Sequence, residues 1–377
     1  MQQHRRTADL RHPNAPFEAQ AAPDIQAQAY RAFDIPPLQS SNGLHPVRES
    51  LPLNLTWGRM RMFSRTGAPR RSVLVVTPLS GAFSVLMRDL IIALLTQADQ
   101  VAVTDWPDAL YLPQDRGACG FDRNCIETLR MIEKLDPPHH VVGVCQGVVP
   151  ALIASILLAQ DARASLSLTL LGGPVDPSAH PTRLGRILFD LDPTQTDHML
   201  QTVRAPFPGA GRRVFPRLGL MQAFGLYLWR QMLNGGELPR KLLMDDGHDP
   251  LRFPLARLCW DMMDIPAEFF VENVTRVFKE RALAQGHLSV AGWRVTPSAL
   301  TRTRLLTVEG CADDIAGPGQ THAAHDLCRG LPTRTHHRLD LEGAGHFSLF
   351  HGARMRREIV PAIVQLMAAA ETDAGSS

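Results

Sequence analysis

Cys145 stands in a setting that is typical of a catalytic nucleophile. The residues at 143–147 read Gly-Val-Cys-Gln-Gly, between a short apolar run and an apolar segment that begins at Val148. Gly-x-Cys-x-Gly is the nucleophile-elbow pattern with cysteine in place of serine, in which a tight strand-to-helix turn presents the central side chain above a sheet. Small residues are required where strand and helix backbones pass close together. The free N–H groups and positive dipole end of such a helix favour a thiolate. The alternative is a buried, inert cysteine, and the pentapeptide alone favours neither.

A cysteine nucleophile needs a base and a group that orients the base. In α/β-hydrolases the acid follows the second-last strand and the histidine follows the last. Here the corresponding loops carry Asp313 and Asp314, and then His346. Both loops come at the carboxyl ends of predicted strands, where such sites form. The sequence therefore predicts a triad of Cys145, one of the two aspartates, and His346. One of the two aspartates is also expected to cap the helical segment that follows.

Two backbone N–H groups are expected to bind a developing oxyanion. One belongs to Gln146, directly after the nucleophile. The other belongs to Leu79, in the loop after the first predicted core strand, the usual place of an oxyanion loop. The alternative for that Pro-Leu-Ser-Gly segment is a simple turn.

Apolar runs alternating with helical segments predict the elements that position these residues. Continuous apolar strands of this kind are typical of a buried parallel sheet. The predicted strands are Ser72–Thr77, Gln100–Asp105, His139–Val144, Ser165–Leu171, Arg304–Gly310 and His336–Leu341. The expected fold class is α/β, an α/β-hydrolase fold with a mostly parallel sheet. Residues 66–175 and 300–377 are assigned to its core, 176–299 to an inserted helical cap, and 1–65 to a partly disordered N-terminal extension in which residues 53–63 supply edge strands.

Charge and composition exclude several classes of protein. The 377-residue chain has 39 basic and 37 acidic residues, a net charge of +2, and no long basic run, so nucleic acid is not an expected partner. No apolar stretch is long enough to span a bilayer, and the N-terminus lacks the apolar core of a secretory signal. The six cysteines are scattered without Cys-x-x-Cys pairs, which favours free thiols in a reducing cytoplasm.

A set of polar residues at 322–326 is the nearest approach to a metal motif. His322, His325 and Asp326 are spaced to share one helical face. No further ligand is evident from the sequence, so we expect a solvated helix face and no metal. No cofactor-binding motif is found, since Gly-x-Gly-x-x-Gly is absent.

Several segments together resemble the intracellular poly(3-hydroxybutyrate) depolymerases. They run from about residue 72 to the C-terminus, about four fifths of the chain, and include the cap. The matching segments are Thr77-Pro78-Leu79-Ser80-Gly81, Thr104-Asp105-Trp106, Val144-Cys145-Gln146, Gly172-Gly173-Pro174-Val175-Asp176, Met263-Asp264-Ile265-Pro266-Ala267-Glu268-Phe269-Phe270, Val308-Glu309-Gly310 with Asp313-Asp314-Ile315, Gly319-Gln320-Thr321, and Gly345-His346-Phe347. Residues 1–65 match poorly.

The resemblance implies a cytoplasmic enzyme that cleaves the polyester of intracellular granules with a cysteine nucleophile. It implies that Cys145 is this nucleophile and His346 the base. Related polyester synthases carry Asp-His-Ile at the acid loop, and alignment on Ile315 places the carboxylate at Asp313. The resemblance implies no bound cofactor, with coenzyme A a possible acyl acceptor, and the granule surface as partner.

Two departures from the family pattern keep other functions open. Gly147 stands where the family usually has proline, and Phe347-Ser348 where it has Tyr-Gly. The first departure makes the elbow similar to that of the small polyester synthases, so an acyltransferase is one alternative. A catalytically inactive granule-surface binding protein is the other, although the intact set of three side chains argues against it.

Overall fold

The computed structural model describes residues 29–40, 43–65, 70–135, 139–233 and 261–375. The disorder expected near the N-terminus falls on residues 1–28 and so lies outside these ranges. Within them, no helix is both long and apolar enough to cross a bilayer.

Eight strands form one mostly parallel sheet in the order β15-β14-β8-β7-β5-β6-β4-β3. The strands of the described ranges are β1 (Leu38–Ser40), β2 (Gly43–His45), β3 (Arg48–Asn54), β4 (Arg59–Ser64), β5 (Ser72–Val76), β6 (Gln100–Asp105), β7 (His139–Val144), β8 (Ser167–Leu171), β9 (Gln201–Thr202), β10 (Arg213–Phe215), β11 (Ile265–Pro266), β12 (Ser289–Val290), β13 (Trp293–Arg294), β14 (Arg304–Gly310) and β15 (His336–Leu341). The six strands predicted for the core are all present, and they pair in parallel from β6 to β15. The predicted sheet is therefore confirmed.

Helices connect the parallel strands. The α-helices are α1 (Arg88–Leu95), α2 (Phe121–Glu133), α3 (Val148–Gln160), α4 (Arg183–Asp190), α5 (Pro193–Met199), α6 (Arg217–Leu233), α7 (Ala267–Asn273), α8 (Ala323–Leu327), α9 (Gly352–Arg354) and α10 (Val360–Gly375). Within the described ranges, two π-helical segments (Val274–Lys279 and Met355–Ile359) and seven 3-10 turns (Ser84–Met87, Ala109–Tyr111, Gln114–Arg116, Cys145–Gly147, Pro297–Ala299, Thr333–Thr335 and His346–Leu349) accompany these α-helices.

Helix α3 explains why the centre of the molecule is rigid. Every residue from Val148 to Leu158 is buried, because the helix is apolar on all sides and is enclosed by the core. Pro150 lies in its first turn, where a missing N–H breaks no intrahelical bond. The strands in front of it, β5, β7 and β8, are buried along nearly their whole length. The residue after β7 is thus held from both sides.

The N-terminal extension contributes more to the sheet than the boundary at residue 65 implies. Strands β3 and β4 pair antiparallel with each other, and β4 pairs antiparallel with β6 along its full length. The expected edge strands at 53–63 are therefore part of the central sheet, which begins at Arg48. The antiparallel direction follows from the short connection between β3 and β4.

The inserted segment between β8 and β14 is only partly helical in its described portion. It holds α4 to α7, as expected, but also a three-stranded antiparallel sheet in the order β11-β10-β9 and the short β12–β13 hairpin. These strands have two or three residues each. The segment predicted as a helical cap therefore also contains strands, which are too short to produce an alternating sequence pattern.

A buried histidine joins the amino edge of the sheet to the last helix. His140 Nδ1 lies 2.8 Å from Ser167 Oγ, and its Nε2 lies 3.2 Å from Glu371 Oε1 on α10. Arg71 also donates two hydrogen bonds of 2.6 Å to Glu371. Burial lowers the pKa of His140 to about 4, although Glu371 opposes the shift. The folded protein therefore holds this ring neutral.

The stability of the fold should consequently depend on pH through His140. Its folded pKa lies below the unfolded value of about 6.5, so the native state binds fewer protons. The contribution is fully present above about pH 6.5 and is lost as the pH falls through 4, with an upper bound of about 3 kcal/mol. We expect H140Q to flatten the slope of unfolding free energy against pH between pH 6 and 4.5, by up to about 1.4 kcal/mol per pH unit. The free energy of unfolding, measured with urea at each pH, gives this slope.

The matched control for this prediction is H198Q, since His198 is exposed on α5. Its slope should equal that of the wild-type chain. An H140Q slope as steep as the wild-type slope would contradict the assignment of a depressed pKa to His140.

Candidate active site

The backbone turns sharply at Cys145, between β7 and α3. Cys145 has φ of +52°, a left-handed conformation that is rare for a residue with a side chain. It opens the 3-10 turn Cys145–Gly147, which leads directly into α3, and its side chain is half-buried. Such strain costs of the order of 1–3 kcal/mol and persists only where the surroundings impose it. The arrangement is that of a nucleophile elbow.

Three glycines impose this turn because no side chain would fit beside it. A Cβ on Gly147 would lie 2.3 Å from the carbonyl oxygen of Val76 in β5. One on Gly143 would lie 2.8 Å from the Cβ of Ala151 in α3, and one on Gly173 would lie 2.5 Å from the carbonyl oxygen of Cys145. The two glycines of the pentapeptide are thus explained by close approach, as the sequence predicts.

His346 and Asp313 are brought together from two different loops. His346 Nδ1 lies 2.7 Å from Asp313 Oδ2, and both side chains are almost fully buried. Asp313 follows β14 and His346 follows β15, so both lie at the carboxyl edge of the sheet, as does Cys145 after β7. With Nδ1 bonded to the carboxylate, Nε2 is the ring nitrogen left for another partner.

Electrostatics favour a protonated His346. Burial alone would lower the pKa of His346, but the charges of Asp313 and Cys145, and the hydrogen bonds that both make to the ring, raise it well above the ordinary value. The imidazolium form of His346 is thus favoured. A histidine paired with a cysteine is an arrangement that can activate a thiol as a nucleophile.

The acid loop holds Asp313 in place through its own backbone. Asp313 Oδ1 accepts hydrogen bonds of 2.9 Å from the N–H groups of both Ile315 and Ala316, while Oδ2 faces His346. The same residue therefore orients the histidine and caps the following turn. The expectation that one of the two aspartates caps the following segment fits these contacts of Asp313.

Glu309 fixes the far end of this loop, and sequence reasoning missed it. Its carboxylate accepts from the N–H groups of Gly319 (2.5 Å), Thr321 (2.7 Å) and His322 (2.8 Å). Thr321 Oγ1 in turn bonds to both the N–H and the carbonyl of Gly173. The available signal was a carboxylate within an otherwise apolar, buried strand, since Glu309 is 1% exposed.

The N–H group of Leu79 has a partner that the sequence did not reveal. It donates a 2.7 Å hydrogen bond to the side-chain oxygen of Gln146. The Nε2 atom of that same amide is buried with no protein partner. Leu79 and Gln146 are therefore adjacent, as an oxyanion hole requires, but in this conformation the side chain of Gln146 engages the Leu79 N–H.

Helix α6 lies over the loops that surround the triad. The side chain of Leu220 lies directly against Gly81. A Cβ added to Gly81 would lie 2.2 Å from Leu220 Cδ1 and would force the flexible leucine side chain to move. Phe224 and Tyr227 pack against Phe347, the residue after His346, with ring centroids 6.0 and 6.3 Å apart. The helix thus contacts both the predicted oxyanion loop and the histidine loop.

The residues at 322–326 do not form a solvated helix face, so that expectation is wrong. His325 is 6% exposed, and its ring nitrogens lie 2.7 Å from Thr307 Oγ1 and 2.7 Å from His336 Nδ1. Burial, with the charge of Arg338, lowers the pKa of His325 to about 3. Only Asp326 is exposed. His322 and His325 contact side chains on β14 and β15, and the residue spacing within one helix cannot reveal such contacts.

The comparisons with known proteins agree with this fold. A family model described as "PHB de-polymerase C-terminus" matches residues 172–371, which confirms the resemblance found in the sequence. No curated protein matches the chain.

Among solved structures, a lipase candidate of Acinetobacter baumannii superposes with a TM-score of 0.52 at 14% identity, over 87% of this chain and 93% of its own. A carboxyl esterase of Tuber melanosporum reaches 0.49 at 12% identity, over 90% and 91% of the chains. A monoacylglycerol lipase of Paleococcus ferrophilus reaches 0.45 at 15%, over 86% and 99%. The first of these likenesses establishes the α/β-hydrolase fold.

The close approach at Gly147 generates a direct prediction. In G147A the new Cβ would meet main-chain atoms of β5, which cannot move without displacing the strand. We expect a loss of about 1–3 kcal/mol of unfolding free energy, typical of overpacking, together with a slower reaction of Cys145 with iodoacetamide. Chemical denaturation and thiol labelling measure the two effects.

G185A is the matched control, because the nearest atom to its new Cβ, Thr182 Oγ1, lies at 3.4 Å. We expect it to keep wild-type stability and labelling. If G147A behaved like G185A, the packing of the elbow against β5 would not constrain residue 147.

Proposed function

The chain belongs to the PHB de-polymerase family, whose model covers residues 172–371, and from that premise we propose that it is an intracellular polyhydroxyalkanoate depolymerase. In this proposal it cleaves poly(3-hydroxybutyrate) ester bonds through Cys145, His346 and Asp313. The observation that carries the proposal is the buried His346–Asp313 contact at the same sheet edge as the strained elbow of Cys145.

The proposed chemistry proceeds in two acyl-transfer steps. The Cys145 thiolate attacks the ester carbonyl, and the tetrahedral intermediate collapses with release of the polymer's alcohol end, which takes the proton of the His346 imidazolium. An acyl-thioester on Cys145 remains. His346 then removes a proton from the acceptor, which attacks the thioester and frees the acid end and the thiolate. Asp313 holds the ring tautomer throughout.

Backbone N–H groups near the elbow are proposed to bind the oxyanion. The N–H of Gln146 follows the nucleophile directly, and that of Leu79 lies against it. Each such donor contributes about 3–4 kcal/mol of transition-state stabilisation in well-studied hydrolases. The Leu79 N–H can contribute only if the Gln146 side chain releases it. Otherwise the buried Nε2–H of Gln146 has to serve as the donor in place of the Leu79 N–H.

The acceptor is proposed to be water, with coenzyme A thiol as the other candidate; no bound cofactor takes part in either case. With water the products are free 3-hydroxy acids or their oligomers, and with coenzyme A they are hydroxyacyl thioesters. A polyester synthase would use the same thioester in the opposite direction, and the elbow with Gly147 is the feature that favours it.

Replacement of the nucleophile tests the proposal. We expect C145A to release no product from amorphous poly(3-hydroxybutyrate) granules, because no other group can form the acyl intermediate. The wild-type protein should release soluble acid, and product separation with and without coenzyme A identifies the acceptor. Loss of coenzyme A from 3-hydroxybutyryl-CoA with formation of polymer would instead favour the synthase.

Thiol labelling provides the control. Cys145 should react with iodoacetamide faster than Cys311, the exposed cysteine of the acid loop, and H346Q should remove this advantage since the imidazolium is lost. Equal rates at the two cysteines in the wild-type protein would favour an inactive binding protein. Full depolymerase activity of C145A would end the proposal.

An apolar surface around the site supports the proposed association with granules in the cytoplasm. On α6 the exposed large side chains are Leu218, Leu226, Trp229 and Leu233, at 58–72% exposure, and on α4 they are Leu184, Ile187 and Phe189, at 40–56%. Helix α6 contacts the histidine loop through Phe347, and α4 begins where Thr182 donates to the carbonyl of Ile315 in the acid loop. Exposed apolar side chains grouped around a site are typical of an interaction surface.

Removal of two of these side chains should separate granule binding from catalysis. We expect L226S/W229S to bind amorphous granules at least tenfold more weakly in a sedimentation assay. Each replaced side chain would otherwise contribute about 1.5–3 kcal/mol of binding free energy when it is buried against the polymer. Hydrolysis of a soluble ester of 3-hydroxybutyrate should change little, since both side chains are exposed to solvent.

L44S/L51S is the control, with two exposed leucines. Leu51 lies on β3, at the opposite edge of the sheet from β15, and Leu44 lies on β2 in a separate two-stranded sheet. L44S/L51S should bind granules like the wild-type protein. If the two double variants bound equally well, α6 would not be the docking surface.

A further inference from the structure

A second polar cluster lies on the outer strands of the sheet, away from Cys145. Glu309 on β14 and Asp340 on β15 are direct register partners, and His322, just before α8, reaches both. His322 Nε2 lies 3.0 Å from Asp340 Oδ1 and 3.6 Å from Glu309 Oε2. Each residue offers one ligand atom, and these three atoms lie within 4.8 Å of one another.

A chain of hydrogen bonds decides which nitrogen of His322 carries a proton. His336 Nε2 faces the carbonyl of Leu331 at 3.3 Å, so it donates, and in the neutral ring Nδ1 then accepts. His336 Nδ1 lies 2.7 Å from His325 Nδ1, which therefore donates. The buried His325 is neutral, so its Nε2 accepts the proton of the Thr307 hydroxyl.

That assignment leaves Thr307 Oγ1 with no proton for its other neighbour. His322 Nδ1, at 2.6 Å, must then donate to it. With Nδ1 as the donor to Thr307, the second ring nitrogen of His322, Nε2, faces the oxygens of two carboxylates. Three electron-pair donors that converge in this way repel one another unless a cation lies between them. The cation is either a proton on Nε2 or a metal ion.

We propose that Glu309, His322 and Asp340 form a binding site for a divalent transition-metal ion, with Zn²⁺ the best match. One imidazole and two carboxylates are ligands that Zn²⁺ accepts at about 2.0–2.2 Å each. Atoms 3.0 and 3.6 Å apart are at separations that such bonds produce around one ion. Thr307 holds the opposite ring nitrogen of His322, as an outer-shell oxygen does in metal sites.

The two carboxylates have complementary surroundings. Glu309 is buried and is held by three backbone N–H groups, so its position is fixed before any ion binds. Asp340 is exposed, with 60% of its side chain accessible, and leaves the site open to solvent. An ion could enter from that side and keep water in its remaining position, as in three-ligand zinc sites. Since Glu309 and His322 bracket the loop that carries Asp313, the ion would tie the two ends of this loop to β15.

Zinc binding to the full-length chain tests the proposal without reference to activity. The protein is used as C145A, to remove the triad thiol as a competing ligand, is stripped with a chelator, and is titrated with Zn²⁺ at pH 8 by calorimetry. We expect one ion per chain with a Kd of about 1 μM or below, and an increase in Tm with zinc. H322A and D340N in the same background should each bind at least tenfold more weakly.

The exposed position of Asp340 makes D340N safe for the fold, so weak binding by this variant cannot be attributed to unfolding. D326N is the matched control, because Asp326 lies exposed on α8, four residues after His322 and outside the cluster, and it should bind like the parent. Substitution with Co²⁺ should give weak visible bands without an intense thiolate charge-transfer band. An intense band would place the ion at cysteines and overturn the proposal.

Thr307 tests the proton assignment itself. T307V should weaken zinc binding by about tenfold to a hundredfold, as for other outer-shell changes, and T307S should restore it because the hydroxyl returns. Binding of the parent no tighter than that of H322A would mean that a proton occupies His322 Nε2, and the metal site would be ruled out.

Discussion

The close approach of β5 to the first turn of α3 is the constraint on which the site depends. Gly147 has the carbonyl of Val76 where its Cβ would lie, so the turn can pass there only without a side chain. That passage forces Cys145 into the left-handed region and directs it out of the sheet. Gly173 closes the turn from the other side against the carbonyl of Cys145. Cys145 is thus positioned by packing.

The acid side of the site is positioned by hydrogen bonds instead. A buried carboxylate is tolerated only with compensating donors, and Asp313 obtains two from its own loop and a third from His346. Glu309 secures the end of the same loop with three more. Thr321 then ties this loop to Gly173, which itself packs on the elbow. Cys145 and Asp313 are therefore linked through Gly173, although they come from loops more than 160 residues apart in the sequence.

Sequence patterns predicted those parts of the fold in which the burial of a residue is determined by the strand or helix to which it belongs. Parallel core strands are apolar along their length, so all six were recognisable, and the order of chemistry-bearing loops then followed. The strands β9, β10 and β11 were missed, since two or three residues are too few to show an alternation of apolar and polar side chains. The histidines at 322 and 325 were misjudged because their partners lie on β14 and β15. The bond from Leu79 to Gln146 likewise joins residues brought together only by the tertiary fold.

Gly147 illustrates how a sequence departure can report packing instead of chemistry. Its φ of −63° is one that proline also adopts, so backbone conformation does not exclude proline at this position. The approach of Val76 does, because the ring begins with the Cβ that has no space here. A family member with proline at this turn therefore needs β5 to lie slightly further from it. Gly147 therefore reflects the position of β5 relative to this turn.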